Sequence, residues 1–457
     1  MVKTRSLFIP ILFCLAGSAS LYSQNQKIDG YKGLWFSAGK SSGYGYIFSG
    51  GSATFGSQHR PVAIYSPEAK KTFFVYGGTT SYDERHLLIM ISYFSHTNQT
   101  VPKPVVVYDK MGVREPFDNP SLAIDHQGYL WVFISGSERT RPGMIFRSTE
   151  PYSIDHFEEI MHKEMIAPQP WWINEHGLAV VFIRKITGPD IYFSSSRDGR
   201  TWSENQKIAS MGGHVHVSHA KGNKLVIIFN YSPGGNPDKQ TNLYYLQTED
   251  MGKTWKTVDG RIVEIPLTDP INEALVRNFE AEGTLVYLSD VCFDQEGNPV
   301  LLVILSKSSE PGPEGGPREW MLIRWKDRKW NYSKVCESDH NYDVGALFIT
   351  DDGWSVIGPS EPGRLKYRTG GEIVNWIGTD DGATWVKATD LTFNSQVNNS
   401  FVKRPVNYNR RFYALWTDGD ADKLSPSHLY FTDQKCRKVW MLPYDMISDF
   451  VKPVRIR

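Results

Sequence analysis

Three segments of this 457-residue chain repeat one pattern: Ser196-Arg197-Asp198-Gly199-Arg200-Thr201-Trp202, Thr248-Glu249-Asp250-Met251-Gly252-Lys253-Thr254-Trp255 and Thr379-Asp380-Asp381-Gly382-Ala383-Thr384-Trp385. Each runs hydroxyl residue, Asp, Gly, Thr, Trp, and the second copy is one residue longer than the others. A short Asp side chain accepts backbone N–H groups in a tight turn, and Gly takes positive φ at no steric cost. The Trp then packs beneath the turn. One turn recurring at distant places means one supersecondary unit recurring. The length alone suggests about three domains of ~150 residues, but a repeat overrides that prior.

A second pattern runs along the whole chain: an apolar run, a tight polar turn, and another apolar run. Pro61–Tyr65 and Thr72–Tyr76 flank one such turn, and Pro120–Ile124 and Tyr129–Ile134 flank another. Period and turn chemistry identify these as β-hairpins. Seven are counted from their leading residues: His59-Arg60-Pro61, Asp118-Asn119-Pro120, Gln169-Pro170-Trp171, His214-Val215-His216, Leu288-Ser289-Asp290, Tyr342-Asp343-Val344 and Lys403-Arg404-Pro405. Their spacing, roughly 57 residues, suits a four-stranded propeller blade. The Asp-Gly-Thr-Trp turn resembles the Asp-box, or bacterial neuraminidase repeat, found between the outer strands of such blades. The expected fold is all-β, a seven-bladed β-propeller with Asp-box repeats, forming a single domain over residues 24–457. Helical periodicity is scarce, and 155–165 is the best short candidate.

Composition narrows the class. Lys+Arg and Asp+Glu both number 50, so the net charge is zero, which argues against a dedicated nucleic-acid binder. Aromatic residues make up 13%, too many for a disordered chain. Residues 1–23 read as a signal peptide: Lys3 and Arg5, a short apolar run from Leu7 to Ala16, then Gly17-Ser18-Ala19-Ser20. The run is too short to span a bilayer, and none later is long enough. A periplasmic or secreted protein is expected. Cys14 follows Phe13 rather than the small residue of a lipidation site. Cys292, Cys336 and Cys436 are an odd, widely spaced set with no disulfide framework and no zinc spacing. Cys292 sits in an alternating apolar run and reads as a small buried hydrophobe.

A propeller gathers distant residues on the face where its innermost strands begin and its second-to-third strand loops open. The first group brings Gln58, His59, Asp118, Asn119, Gln169, His214, His216, Asp290, His340, Asp343 and Arg404. The second adds Arg139, Arg141, Arg184, Lys185, Tyr231, Lys307, Glu361 and Asp418. This mixture of cations, carboxylates and imidazoles reads as a pocket for a polar small molecule or glycan. His214 and His216 lack a third metal ligand at useful spacing, so no metal and no cofactor is expected. Arg139, Arg141, Arg184, Lys185 and Arg404 should form a local cationic face for an anionic sugar, with Asn119 beside them.

The segments Asp118-Asn119-Pro120-Ser121-Leu122-Ala123-Ile124-Asp125, Gly128-Tyr129-Leu130-Trp131-Val132-Phe133, Phe229-Asn230-Tyr231, Ser338-Asp339-His340-Asn341-Tyr342-Asp343, Arg404-Pro405-Val406-Asn407 and Leu429-Tyr430-Phe431 resemble the BNR-4 repeat proteins. That family includes ulvan lyases and L-rhamnose-α-1,4-D-glucuronate lyases. The resemblance implies β-elimination on a rhamnose–uronate glycan such as ulvan or gum-arabic oligosaccharides. A base takes the C5 proton of a uronate and the group on C4 leaves, while an Arg or amide neutralises the carboxylate. By position, Arg184 matches the family's carboxylate-binding Arg. Tyr231 matches a pocket Tyr able to serve as base or acid. The usual histidine before Asp-Asn-Pro is Phe117 here, and a further one is replaced at Ser137-Glu138. His59 becomes the first catalytic candidate, because Ser57-Gln58-His59-Arg60-Pro61-Val62-Ala63-Ile64-Tyr65 resembles the first blade of the rhamnose–glucuronate enzymes. His214 is the second.

Two products share this chemistry. A sugar on C4 means chain cleavage, whereas a free hydroxyl on C4 means loss of water from a non-reducing-end uronate. Two alternatives come from other classes. One is an exo-α-L-rhamnosidase using a carboxylate pair such as Asp118 and Asp290. The other is a non-catalytic glycan-binding propeller with Trp171, Trp172 and Tyr231 as stacking platforms.

Overall fold

The computed structural model describes residues 24–36, 41–42, 45–46, 54–83, 86–112, 118–138, 141–186 and 188–457. The signal-peptide segment, Phe117 and Arg139 lie outside the described residues. Over the described residues the strands resolve into seven successive antiparallel four-strand meanders, referred to below as units. Their first strands are Ala63–Ser66, Pro120–Ile124, Ile166–Ile173, His214–Lys221, Leu285–Phe293, Ala346–Thr350 and Asn398–Lys403.

Second strands read as continuous apolar runs because both their faces are covered by neighbouring sheets. Val180, Val181 and Phe182 show this, all fully buried on one strand. The ends of the chain are stitched together. Val406 N–H donates to Ala63 O and Tyr65 N–H to Val406 O, each 2.9 Å, bridging the last unit to the first. Gly33–Trp35 pairs with Ser425–Ser427 of the last unit and touches Gly78 of the first. The architecture is all-β and propeller-like.

The repeated turns sit between the third and fourth strands of units three, four and six. Asp198 Oδ1 accepts the N–H groups of Arg200 and Thr201 at 2.9 and 2.7 Å, Gly199 has φ +71°, and Trp202 Nε1 donates to Gly199 O. Asp250 does the same for Thr254 N–H, with a second bond from the Thr254 hydroxyl. The third copy differs: Asp381 turns outward to Arg324 and Lys326, both 3.4 Å away, and the turn is closed by Ala383 N–H on Thr379 O and by the Trp385 indole on Gly382 O.

Two expectations are corrected. The segment 155–165 is not helical: Phe157–His162 is the outer strand of the second unit, paired with Met144–Ser148. Edge exposure on one side leaves it the mixed polarity that imitates a helix. Gln169, Asp290 and Arg404 also do not lead their units. The first strands of units three, five and seven start earlier and carry register shifts at Ile166/Gln169, Leu288/Asp290 and Ser400/Lys403. At Gln169 and Asp290 a bulge places a polar residue in mid-strand, where it looks like a strand start in the sequence, whereas Arg404 directly follows the end of Asn398–Lys403.

Because strands alternate in direction, first-strand starts and second-to-third strand loops share one side, here the leading face. First-to-second strand turns lie on the opposite turn face.

Candidate functional site

Arg184 is the next-to-last residue of the second strand of unit three, Gly177–Lys185, at the leading face. Its Nε and Nη2 donate to one oxygen of Glu164, at 3.1 and 2.8 Å, and its guanidinium lies 5.5 Å from the Tyr192 ring. The side chains of Arg184 and Glu164 are 23% and 31% exposed. The guanidinium therefore already faces a carboxylate, and from a position that water and solutes reach.

Tyr231 occupies the matching place one unit along, ending the strand Lys224–Tyr231. The two loops that follow these residues approach each other. A Cβ built on Gly213 would lie 3.3 Å from Ser232 Cβ and 3.4 Å from Pro189 Cγ. The Tyr231 hydroxyl donates a short hydrogen bond to Glu280, an exposed carboxylate on the connection into unit five. Burial, then the bond and charge of Glu280, raise the phenol well above its usual range.

His214 pairs directly with Tyr231 in the sheet, but its ring is spent on the backbone. Nδ1 donates to Asn230 O at 2.9 Å and Nε2 accepts Met211 N–H at 3.0 Å. Burial holds it neutral, with a pKa of about 4. Neither nitrogen is available to a substrate, which corrects the expectation of a catalytic His214. It is a structural clasp.

His59 is buried, and its Nδ1 accepts Gly56 N–H at 3.2 Å, so a neutral ring carries its proton on Nε2. The Gln169 amide ties this segment to unit four, donating to both Gln58 O and His216 O at 3.0 Å. Asn119 is buried at the start of unit two. Arg141 sits at the same face and donates to Asp118 and to Gly112 O. Lys110 Nζ adds a second cation 3.6 Å from Asp118.

The expected cationic face is therefore divided. Arg184 and Arg141 lie on the leading face, each with a carboxylate, and Lys185 is exposed beside Arg184. Arg404 does not join them: it lies deep between units, with Nε and Nη2 each 3.4 Å from Asp290. Asp118 and Asp290 belong to separate ion-pair clusters, so they do not form an acid–base pair. Trp171 is buried, its indole bonded to Ser218, and Trp172 stacks on His126 at the turn face. Glu164 and Glu280 went unnoticed in the sequence. Both lie on connections between units, where an isolated Glu carries no pattern.

A sequence profile described as "BNR repeat-containing family member", BNR_4, matches residues 94–338, more than half of the chain. The chain belongs to the BNR_4 family. This BNR_4 protein is 22% identical over 324 residues to an ulvan lyase of Nonlabens ulvanivorans, an alignment covering 62% of this chain and 66% of that one. The chain thus aligns with slightly less than two thirds of that relative. Two solved structures share its fold, each with a TM-score of 0.68 and covering 90% of this chain and 96% of theirs. One is described as a polysaccharide lyase PL25 ulvan lyase, at 13% identity. The other is the same kind of enzyme bound to -[GlcA(1-4)Rha3S]-, at 14% identity.

Proposed function

We propose that this protein is a carbon–oxygen lyase acting by β-elimination at C4/C5 of a uronic acid in a rhamnose–uronate glycan. The observation that carries the reading is the pairing of Arg184 with Tyr231 on adjacent units of the leading face, each held by an accessible carboxylate. An arginine already paired with Glu164 exchanges one carboxylate for another when a uronate arrives, at little net cost. Neutralising the uronate carboxylate makes its C5 proton removable. Tyr231 takes that proton while passing its own to Glu280. The C5 electron pair forms the C4=C5 double bond, and the C4–O bond breaks. The departing oxygen takes a proton from water, and His59, buried behind Gln58, is the candidate that positions it. Asn119 and Arg141 flank the path of the chain, and Arg404 has no part in it.

The same reading closes the seven units into one seven-bladed propeller domain over residues 24–457. It also takes residues 1–23 as an export signal to the periplasm or exterior. The substrate reading draws on the ulvan-lyase relative and on the glucuronate–rhamnose ligand of the related structure.

The test is incubation with ulvan and gum-arabic-type oligosaccharides, followed by ultraviolet absorbance of the unsaturated uronate and by mass. Absorbance with shorter products means cleavage. Absorbance with loss of one water and no shortening means dehydration. Sugar release without absorbance would establish a hydrolase, and binding without any product a lectin-like module. Either result overturns the proposal.

A further inference from the structure

Below the leading face, residues from five units meet around one small hollow. Arg60 of the first unit, Trp171 of the third, Ser218 and His219 of the fourth, Asp290 of the fifth, and Lys403 and Arg404 of the seventh all border it. The charges do not balance. Arg60 and Arg404 face one carboxylate, Asp290, beside Lys403, whose ammonium is pushed well below its usual pKa range by burial, and the side chains of Arg60 and Asp290 are only 9% and 2% exposed.

Asp290 has nothing left to give. Its Oδ1 takes Arg60 Nη1 at 2.7 Å and Val291 N–H at 2.9 Å, and its Oδ2 takes Leu347 N–H at 2.9 Å. Arg404 reaches the same two oxygens only at 3.4 Å. The buried Arg60 Nε–H finds no acceptor. Lys403 Nζ donates to Ser57 O at 2.7 Å. Burial, and next Arg404, hold His219 neutral, so it adds no further charge. A buried charge surplus is strongly unfavourable unless a counter-charge enters or a proton leaves.

The hollow measures about 20 Å³. That is enough to hold a single small occupant. It shares Pro61, Trp171, His219, Arg404 and Val406 with a cavity of about 750 Å³ at the turn face, which gives a small solute a route inward. We propose that this hollow is a binding site for a monatomic halide, with chloride as the physiological ion, completing the charge balance of Arg60, Arg404 and Asp290. The site is independent of the catalytic reading, and its role is to fasten the first, fifth and seventh units to one another.

Two measurements on the full chain test it. Crystals grown in bromide should show an anomalous peak in the hollow. Thermal unfolding in chloride, against gluconate at equal ionic strength, should rise on the order of 2 °C per tenfold chloride once the site saturates. Arg404→Met removes one cation and should abolish the chloride dependence. Should that variant fail to fold, the bromide map and the wild-type titration decide. An empty hollow in bromide, or equal unfolding temperatures in chloride and gluconate, overturns the proposal.

Discussion

Replacing Arg184 by alanine separates a catalytic arginine from a structural one. The guanidinium makes two bonds to one Glu164 oxygen, at 3.1 and 2.8 Å, with both side chains about a quarter to a third exposed. An ion pair that solvated contributes ~0–1 kcal/mol to folding. The uronate carboxylate, however, gathers charge as C5 loses its proton. Losing one preorganised partner for such charge costs about 2.7–4 kcal/mol, or ~10²–10³ in kcat. Arg184→Ala should therefore lower the rate of unsaturated-product formation by at least ~10² while moving the urea midpoint little. Glu164→Gln supplies the opposite perturbation. It keeps the shape, removes the competing carboxylate, and should leave kcat intact while KM stays equal or falls up to ~5-fold. The assay is initial rate against oligosaccharide concentration, beside urea unfolding of each variant. An Arg184→Ala enzyme within ~3-fold of wild type would refute the assignment, since a 10² effect is required. Activity lost only together with the fold would refute it equally.

Further outcomes follow from the same geometry. Tyr231→Phe and Glu280→Gln should each reduce kcat by ~10²–10⁴ with unchanged far-UV circular dichroism, and a fully active Tyr231→Phe would exclude the proton relay. His214 and His216 are both buried and held neutral, at about 4 and about 3, below the unfolded value near 6.5. Between those values the unfolded chain binds protons that the folded chain does not. Stability is therefore full above pH ~6.5 and declines as pH falls toward ~4. Urea unfolding of His214→Gln should show a shallower acid slope, by about one proton, and an unaltered slope would contradict this. Gly199→Ala should cost a few kcal/mol, because φ is +71° and a Cβ there meets the Trp131 ring. Asp250→Ala should cost ~1–2 kcal/mol through the freed turn N–H groups. Asp381→Ala should cost less, since that side chain does not cap its turn. Chemical denaturation ranks the three.

Much of the fold was legible because its units are built from local rules. The Asp198 and Asp250 turns behave as their spacing required, with Asp capping, Gly at positive φ and Trp beneath. The tight turns after Ile124 and Ser66 fell where polar residues interrupt apolar runs. The misreadings at Gln169 and Asp290 share one cause: a bulge inserts a polar residue into a strand without any turn, and the sequence has no mark for it. The site was half legible. Arg184 and Tyr231 end apolar strands, a position that shows in sequence, and both reach the leading face. Glu164 and Glu280 do not, because a single glutamate in a connection acquires meaning only from its neighbour in space.

The sequence by itself determined the repeating unit, the all-β class and the kinds of side chain available to the leading face. These follow from contacts within a few tens of residues, where turn chemistry and period-two patterning act directly. Only the tertiary structure decided which of those side chains are spent and which remain for chemistry. His214 and Asp290 look in sequence like Arg184 and Tyr231. The difference lies in partners brought from other strands: a backbone carbonyl at Asn230 and a backbone N–H at Met211 for the one, two arginines for the other. A polar group's function is set by what satisfies its hydrogen bonds and its charge, and in a fold that joins residues hundreds of positions apart that partner is a property of the assembled sheets.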